Sequence, residues 1–323
     1  MQADPFILAL GAMGFGMWLL IRGGDWTVDG AVWVARRFGI PPMVIGFTII
    51  AFGTSLPELL VSITASLQGS PGLALGNVIG SNIANVLLII GAAAVITPVV
   101  ACKFKCRPDM MAMVGSTVLL MVLLQLEVIS RPIGIAMVVA LVLYVLWQYR
   151  QAMRGEIEAE EIDEDATEFA SLGRAVLVTI GGLIAVAAGA KFLVDGAVTV
   201  ALRLGMSEAV IGLTVVAFGT SLPELATAIA AAIKKQTEML VGNVVGSNVF
   251  NILCILGITS IVKPMPIVDA IAMTDAYVVG LSALLLAGVM VTVGRFNRVA
   301  GSGMLAAYAA YVVFLYLRSE GMV

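Results

Sequence analysis

The chain has 323 residues, 60% of them hydrophobic and only 12% charged, with a mean hydropathy of +1.06 and a formal net charge of −3. A soluble domain carries about twice that share of charge, so an ordinary soluble protein is excluded. The small net charge hides an uneven distribution, because eight of the 21 acidic residues lie between Glu156 and Glu168.

Hydrophobic runs of roughly 20 residues recur along the chain, each long enough to cross a bilayer as a helix. No strand-and-turn alternation at barrel spacing is seen, which argues against an outer-membrane barrel. The N-terminus carries no basic stretch ahead of the first apolar run, so no cleavable signal is expected. The expected spans fall near 5–35, 42–67, 72–97, 109–127 and 131–149, then 172–201, 208–233, 238–262, 271–292 and 299–317. The expected fold is therefore an all-α membrane protein with ten transmembrane helices. The first and sixth spans are long and should run tilted. Residues 151–171 form the one clear hydrophilic linker, a solvated acidic tether without EF-hand spacing, the alternative being a cation-sensing or partner-binding segment. It separates a five-helix unit at 1–150 from a second at 172–323.

Five is odd, so the second unit must enter the membrane from the opposite side, and the two units are expected to be inverted. Basic residues give the orientation. With the linker in the cytoplasm, twelve Lys and Arg fall on the cytoplasmic side and four outside. That split places both termini outside.

The two units also repeat one another in sequence. Residues 46–58 read GFTIIAFGTSLPE and residues 212–224 read GLTVVAFGTSLPE, 166 positions later. The same offset aligns GNVIGSNIANVLLIIG from Gly76 with GNVVGSNVFNILCILG from Gly242. The motif stretches are 46–91 and 212–257. Each puts a carboxylate, hydroxyls, Pro and Gly inside an apolar run, where polar groups are costly. Two matching sets point to a site built where the repeats meet.

Pro57 has no N–H and clashes with the carbonyl four residues back, so the second span should kink or break near Gly53. Carbonyls released there, with hydroxyls and carboxylates, are hard donors that suit calcium and sodium. Ala51, Thr54, Ser55 and Glu58 lie on one helical face. Asn77, Ser81 and Asn85 recur every four residues in the next span, and Asn82 points elsewhere, towards a neighbouring helix. The second unit repeats both stripes, as Ala217, Thr220, Ser221 and Glu224, then Asn243, Ser247 and Asn251. Inversion would bring the two Glu spans face to face, giving one cage of two carboxylates and neutral oxygens.

Plainer accounts exist for most of these residues. A Gly-Pro break often serves packing alone, and Ser, Asn and Gly at four-residue spacing often join helices. Asn77 and Asn243, each after Gly, read as structural. Two intramembrane Glu at equivalent repeat positions do not fit a packing role. Asp25, Asp29 and Asp195 read as partners for nearby Arg or Lys, or as caps, with a direct role in ion binding as the alternative. The 17 Met are scattered through apolar runs and read as packing. Cys102, Cys106 and Cys254 read as free thiols, and the chain has no histidine to relay protons or bind metal.

At these residues the chain resembles the cation/calcium exchanger superfamily, the sodium/calcium exchangers and their prokaryotic relatives. The shared hallmark is a pair of inverted repeats carrying G-T-S-x-P-E and G-S-N-x-x-N/D, and both motifs stand in both halves here. The resemblance implies a secondary antiporter that exchanges Ca2+ for Na+ by alternating access, with no cofactor and no catalytic residue. It implies ion binding by Glu58 and Glu224, by Thr54, Ser55, Thr220 and Ser221, and by the backbone carbonyls of Ala51 and Ala217. Ser81, Asn85, Ser247 and Asn251 complete the implied set. It also implies that the first and sixth spans slide over the rest. Some prokaryotic members and the potassium-dependent branch carry Asp where this chain has Asn251, which leaves two acids in this cage.

The expected setting is a prokaryotic inner or plasma membrane. The expected partners are the lipid bilayer and inorganic cations, with no nucleic acid. The oligomeric state stays open, a monomer being sufficient. The nearest rival is a proton-coupled Ca2+/H+ exchanger of the same fold. An intramembrane hydrolase is disfavoured, because no His or Lys base accompanies Ser55 or Ser221. A passive channel sits poorly with so tight a cage.

Overall fold

A computed structural model describes residues 5–100, 107–153, 169–204, 217–267 and 273–319. The described residues are nearly all helical, the conformation that satisfies backbone groups within their own segment, as a bilayer demands. In order, the helices are α1 (Pro5–Phe38), α2 (Pro42–Thr54), α3 (Leu56–Leu67) and α4 (Pro71–Ile96). Then come α5 (Arg107–Leu123), α6 (Arg131–Met153) and α7 (Leu172–Arg203). The second half ends with α8 (Ala217–Thr220), α9 (Leu222–Ile233), α10 (Thr237–Val262), α11 (Met273–Thr292) and α12 (Arg298–Ser319).

Among the described residues, seven of these helices are long and apolar enough to cross a membrane: α1, α4, α6, α7, α10, α11 and α12. The pair α2 and α3, bent by 43°, makes an eighth. α5, at 17 residues, and α9, at 12, fall short of that length. Residues 205–216, which would precede α8, lie outside the described residues, as do Cys102, Cys106 and most of the acidic linker. α1 has 34 residues, about 51 Å at 1.5 Å per residue, well beyond the ~30 Å apolar core of a bilayer.

Local chemistry sets the ends. Pro stands in the first turn of α2, α3, α4 and α9, where its missing N–H costs nothing. Ser171 caps α7 by accepting from the Arg174 N–H at 3.3 Å. α1 stops at Gly39, whose φ of +62° closes the helix in a conformation that favours glycine.

The core is built around α4 and α10, whose motif segments are buried almost throughout. α1 and α12 turn Leu, Ile, Val and Phe outward, as lipid-facing helices do. α1 and α7 pack backbone to backbone along glycines spaced by seven. A Cβ on Gly16 would stand 2.7 Å from the Gly189 carbonyl, and one on Gly23 2.9 Å from that of Gly182. Only glycine permits that approach.

Contacts between the halves come in equivalent pairs, related by an offset of 166 residues from Val99 to Met265 and of 167 from Val128 to Arg295 and from Arg131 to Arg298. β1 (Val99–Val100) pairs with β4 (Arg295–Phe296), and β2 (Val128–Ile129) with β3 (Met265–Pro266), both antiparallel. Arg131 donates to the Ile261 carbonyl at 3.0 Å near the end of α10, and Arg298 to the Ile96 carbonyl at 3.5 Å at the end of α4. Each cation satisfies carbonyls that a helix C-terminus leaves unpaired.

Candidate cation site

The break in the second span falls at Ser55, with φ −82° and ψ 1°, two residues beyond Gly53. The reason is that Pro57 is accommodated in the first turn of α3, so the old helix ends upstream of it. Ser221 repeats the geometry ahead of α9, at φ −86° and ψ 2°. Gly53 and Gly219 let α7 lie over both breaks: a Cβ on Gly53 would stand 2.6 Å from Leu183 Cδ1, and one on Gly219 would strike Val194.

The two glutamates enter from α3 and α9, one turn past each break. Glu58 is 1% exposed and Glu224 2%. Ser55 Oγ donates to Glu224 Oε1 across the repeat at 3.4 Å, and Thr54 lies beside the same carboxylate. The two carboxylates act on each other electrostatically. Among the described residues no Lys or Arg pairs with either. Both oxygens of Glu58 and Oε2 of Glu224 are buried without a hydrogen-bond partner there. An uncompensated buried carboxylate costs several kcal/mol, so this geometry is suited to a cation that supplies the missing charge.

The other residues of the expected set are almost all withdrawn from solvent. Thr54, Ser55, Ser81, Asn85, Ser221, Ser247 and Asn251 are all buried, and Thr220 is half-buried. Ser247 Oγ and the Oδ1 atoms of Asn85 and Asn251 have no partner among the described residues. Ala51 O already accepts from the Ser55 N–H at 3.1 Å and from Thr54 Oγ1 at 3.4 Å. The carbonyl that Pro57 deprives of its donor is that of Gly53. Ala217 opens α8 and is the backbone counterpart of Ala51.

Asn77 and Asn243 act as helix glue. Asn77 donates to the Glu58 carbonyl at 3.2 Å and to Ser62 Oγ at 3.0 Å, and Asn243 to Thr227 Oγ1 at 3.2 Å. Asp29 and Asp25 receive Lys234 at 2.9 and 3.7 Å, while Asp195 receives Lys191 at 2.9 Å. These acids are neutralised by the chain itself.

Three features escape sequence reading. Residues 46–50, 85–90 and 251–256 are π-helical, so Asn85 and Asn251 each begin a widened turn. Such turns leave no mark in hydrophobic periodicity. Asn82, expected to reach a neighbouring helix, does so, but its partner is the stripe residue Asn251 at 3.4 Å. The third feature is a pair of buried acids, Asp109 and Asp275, whose separation of 166 is the one sign of them in the sequence. Tyr144 donates to Asp109 at 2.5 Å with Gln148 beside it, and Tyr311 and Arg318 each meet Asp275 at 3.0 Å. They tie α5 to α6 and α11 to α12.

The sequence model of the family described as "Sodium/calcium exchanger protein" matches residues 8–150 and 174–317, nearly the whole chain. The chain belongs to that family. It is 30% identical to the sodium/calcium exchanger MaX1 of Methanosarcina acetivorans, over 93% of this chain and 96% of that protein. It is 36% identical to the inner membrane protein YrbG of Escherichia coli, over 84% and 85%. Its fold matches the sodium-calcium exchanger NCX_Mj, in a structure soaked with 10 mM Na+ and 10 mM Sr2+, at a TM-score of 0.83 and 34% identity. That match covers 95% of this chain and 98% of the other. The chain is thus a multi-pass helical membrane protein of an exchanger family.

Proposed function

We propose that this protein exchanges Ca2+ for Na+ across the membrane by alternating access, with both ions competing for one cage. The observation that carries the proposal is the pair of buried carboxylates of Glu58 and Glu224, which no Lys or Arg pairs among the described residues, contributed by equivalent positions of the two repeats. Two negative charges balance one calcium ion or a sodium load of equal charge, and in a poorly solvated site they do not balance both together. That mutual exclusion couples the fluxes. Thr54, Ser55, Thr220 and Ser221, the carbonyls of Ala51 and Ala217, and Ser81, Asn85, Ser247 and Asn251 supply the remaining oxygens. The α1–α7 pair, joined along its glycine seam and lying over both breaks, moves as one body over the cage.

The test is calcium-45 uptake into sodium-loaded vesicles, with external sodium or potassium as the only variable. Uptake driven by the outward sodium gradient supports the proposal. Uptake that follows a pH gradient without sodium would establish the Ca2+/H+ alternative.

We also propose the ten-span layout with inverted halves. It is supported by the cross-half contacts, since every pair joins residues that this layout puts on one face of the membrane. In a background without Cys102, Cys106 and Cys254, single cysteines placed in 151–171 should react only from the cytoplasm. Those near residues 2 and 321 should react only from outside. Opposite labelling of the two termini would overturn the layout.

The charge count yields a third expectation. Asn85 and Asn251 are neutral, so the cage holds only the charge of Glu58 and Glu224 and has none left for an added monovalent ion. Exchange should need no potassium, and Asn251→Asp should alter sodium coupling. Sodium-dependent calcium flux with and without potassium, at fixed membrane potential, checks both. An absolute potassium requirement in the unaltered protein would refute the count.

A further inference from the structure

The asparagines on either side of the cage are crossed. Asn85 Nδ2 of α4 donates to Asn248 Oδ1 of α10 at 3.2 Å, and Asn251 Nδ2 of α10 donates to Asn82 Oδ1 of α4 at 3.4 Å. In each pair the stripe residue uses its amide NH2 on the other half. Its carbonyl oxygen is left buried without a partner among the described residues. An amide has one oxygen end and one NH2 end of nearly equal shape, and only the first attracts a cation. Something must therefore decide which end faces the cage. For Asn85 the decision can be traced one step further. Asn248 Nδ2 lies 3.5 Å from Met113 Sδ on α5. A thioether sulfur accepts weakly and cannot donate, so it favours the NH2 end of Asn248 and turns Oδ1 towards Asn85.

We infer that Asn248 is a positioning residue for cation binding: held by Met113, it takes the Asn85 NH2 group and so points the Asn85 carbonyl oxygen into the cage. Without Asn248, the Asn85 amide is free to rotate and to present its NH2 end, whose partial positive charge opposes a cation. The inference rests on the proposal that Asn85 is a cage donor.

A double-mutant cycle in calcium affinity, measured on the purified full chain, tests it. Asn85→Ala should weaken calcium binding roughly tenfold, the loss of one oxygen donor. Asn248→Ala should weaken it by a similar factor without touching the ion. The double variant should bind no more weakly than Asn85→Ala alone, because there is then no amide left to orient. A purely structural role for Asn248 would give additive losses. If Asn248→Ala does not fold, Asn248→Ser, too short to reach Asn85, carries the same expectations. Unchanged affinity in the Asn248 variants, or additive losses, would overturn the positioning role and leave the cage intact. Unchanged affinity in Asn85→Ala would overturn the assignment of Asn85 to the cage, and this inference with it.

Discussion

Glu58→Gln and Glu224→Gln are each expected to abolish calcium exchange in a protein that still folds and inserts. Gln keeps the size and the carbonyl oxygen of Glu and removes one charge. A calcium ion in the altered cage keeps an unbalanced positive charge in a site that is 1–2% exposed at its carboxylates. Breaking a buried charge pairing costs about 3–5 kcal/mol, roughly two to four orders of magnitude in affinity. Stability should move the other way when no ion is bound. The variant lacks one buried carboxylate that has no cation partner, so its melting temperature should equal or exceed that of the unaltered protein. The rise in melting temperature that calcium gives the unaltered protein should vanish. Melting curves with and without calcium, alongside calcium-45 flux, separate these effects. Near-normal flux in both variants would contradict the assignment.

Gly246→Ala is expected to be nearly as damaging, through packing. A methyl group at Gly246 would stand 2.5 Å from the Phe47 carbonyl oxygen, 2.7 Å from Phe47 Cα and 2.8 Å from Ala51 Cβ. Phe47 and Ala51 are fully buried, and two of those three atoms are backbone, so α2 and α10 must part. In an unconstrained helix the same change would stabilise by roughly 1 kcal/mol. Overpacking a dense core costs about 1–3 kcal/mol, so the clash wins. Because α2 carries Ala51, Thr54 and the break at Ser55, moving it also spreads the cage. Calcium affinity and melting temperature should therefore fall together. Gly303→Ala on the peripheral α12, with nothing within 4 Å of the new Cβ among the described residues, should leave both at or slightly above their original values. Equal melting temperatures for the two variants would refute the close packing of α2 on α10.

The repeat and its carboxylates were legible in the sequence because burial of charge is costly. Two acids at matched positions in apolar helices have few innocent explanations, and an offset that holds without a gap needs no coordinates to be seen. The positions of the seven long apolar helices and of the bent pair were legible because a bilayer fixes the length of an apolar helix. Gly16 and Gly23 face Gly189 and Gly182 across a seam of glycines spaced by seven, while Gly30 lies against Ala175 and Thr179 and Gly196 against Ala9 and Met13, a seam that was readable in principle. What faces a glycine is not written beside it, however.

Tertiary structure alone decided the rest. Proline says that a helix must yield, but whether it yields at Gly53 or Ser55 depends on how the next helix accepts the ring. Periodicity put Asn82 off the ligand stripe, yet Asn82 and Asn248 bond directly to the stripe residues of the opposite half. Helical spacing describes one helix, and these bonds form between helices whose crossing point it does not contain. The sequence determined which oxygens and charges this protein carries into the membrane. The packing of two repeats against each other decided which of those oxygens are spent on holding helices together and which stay unpaired, because each buried polar atom bonds whatever the fold brings within about 3 Å.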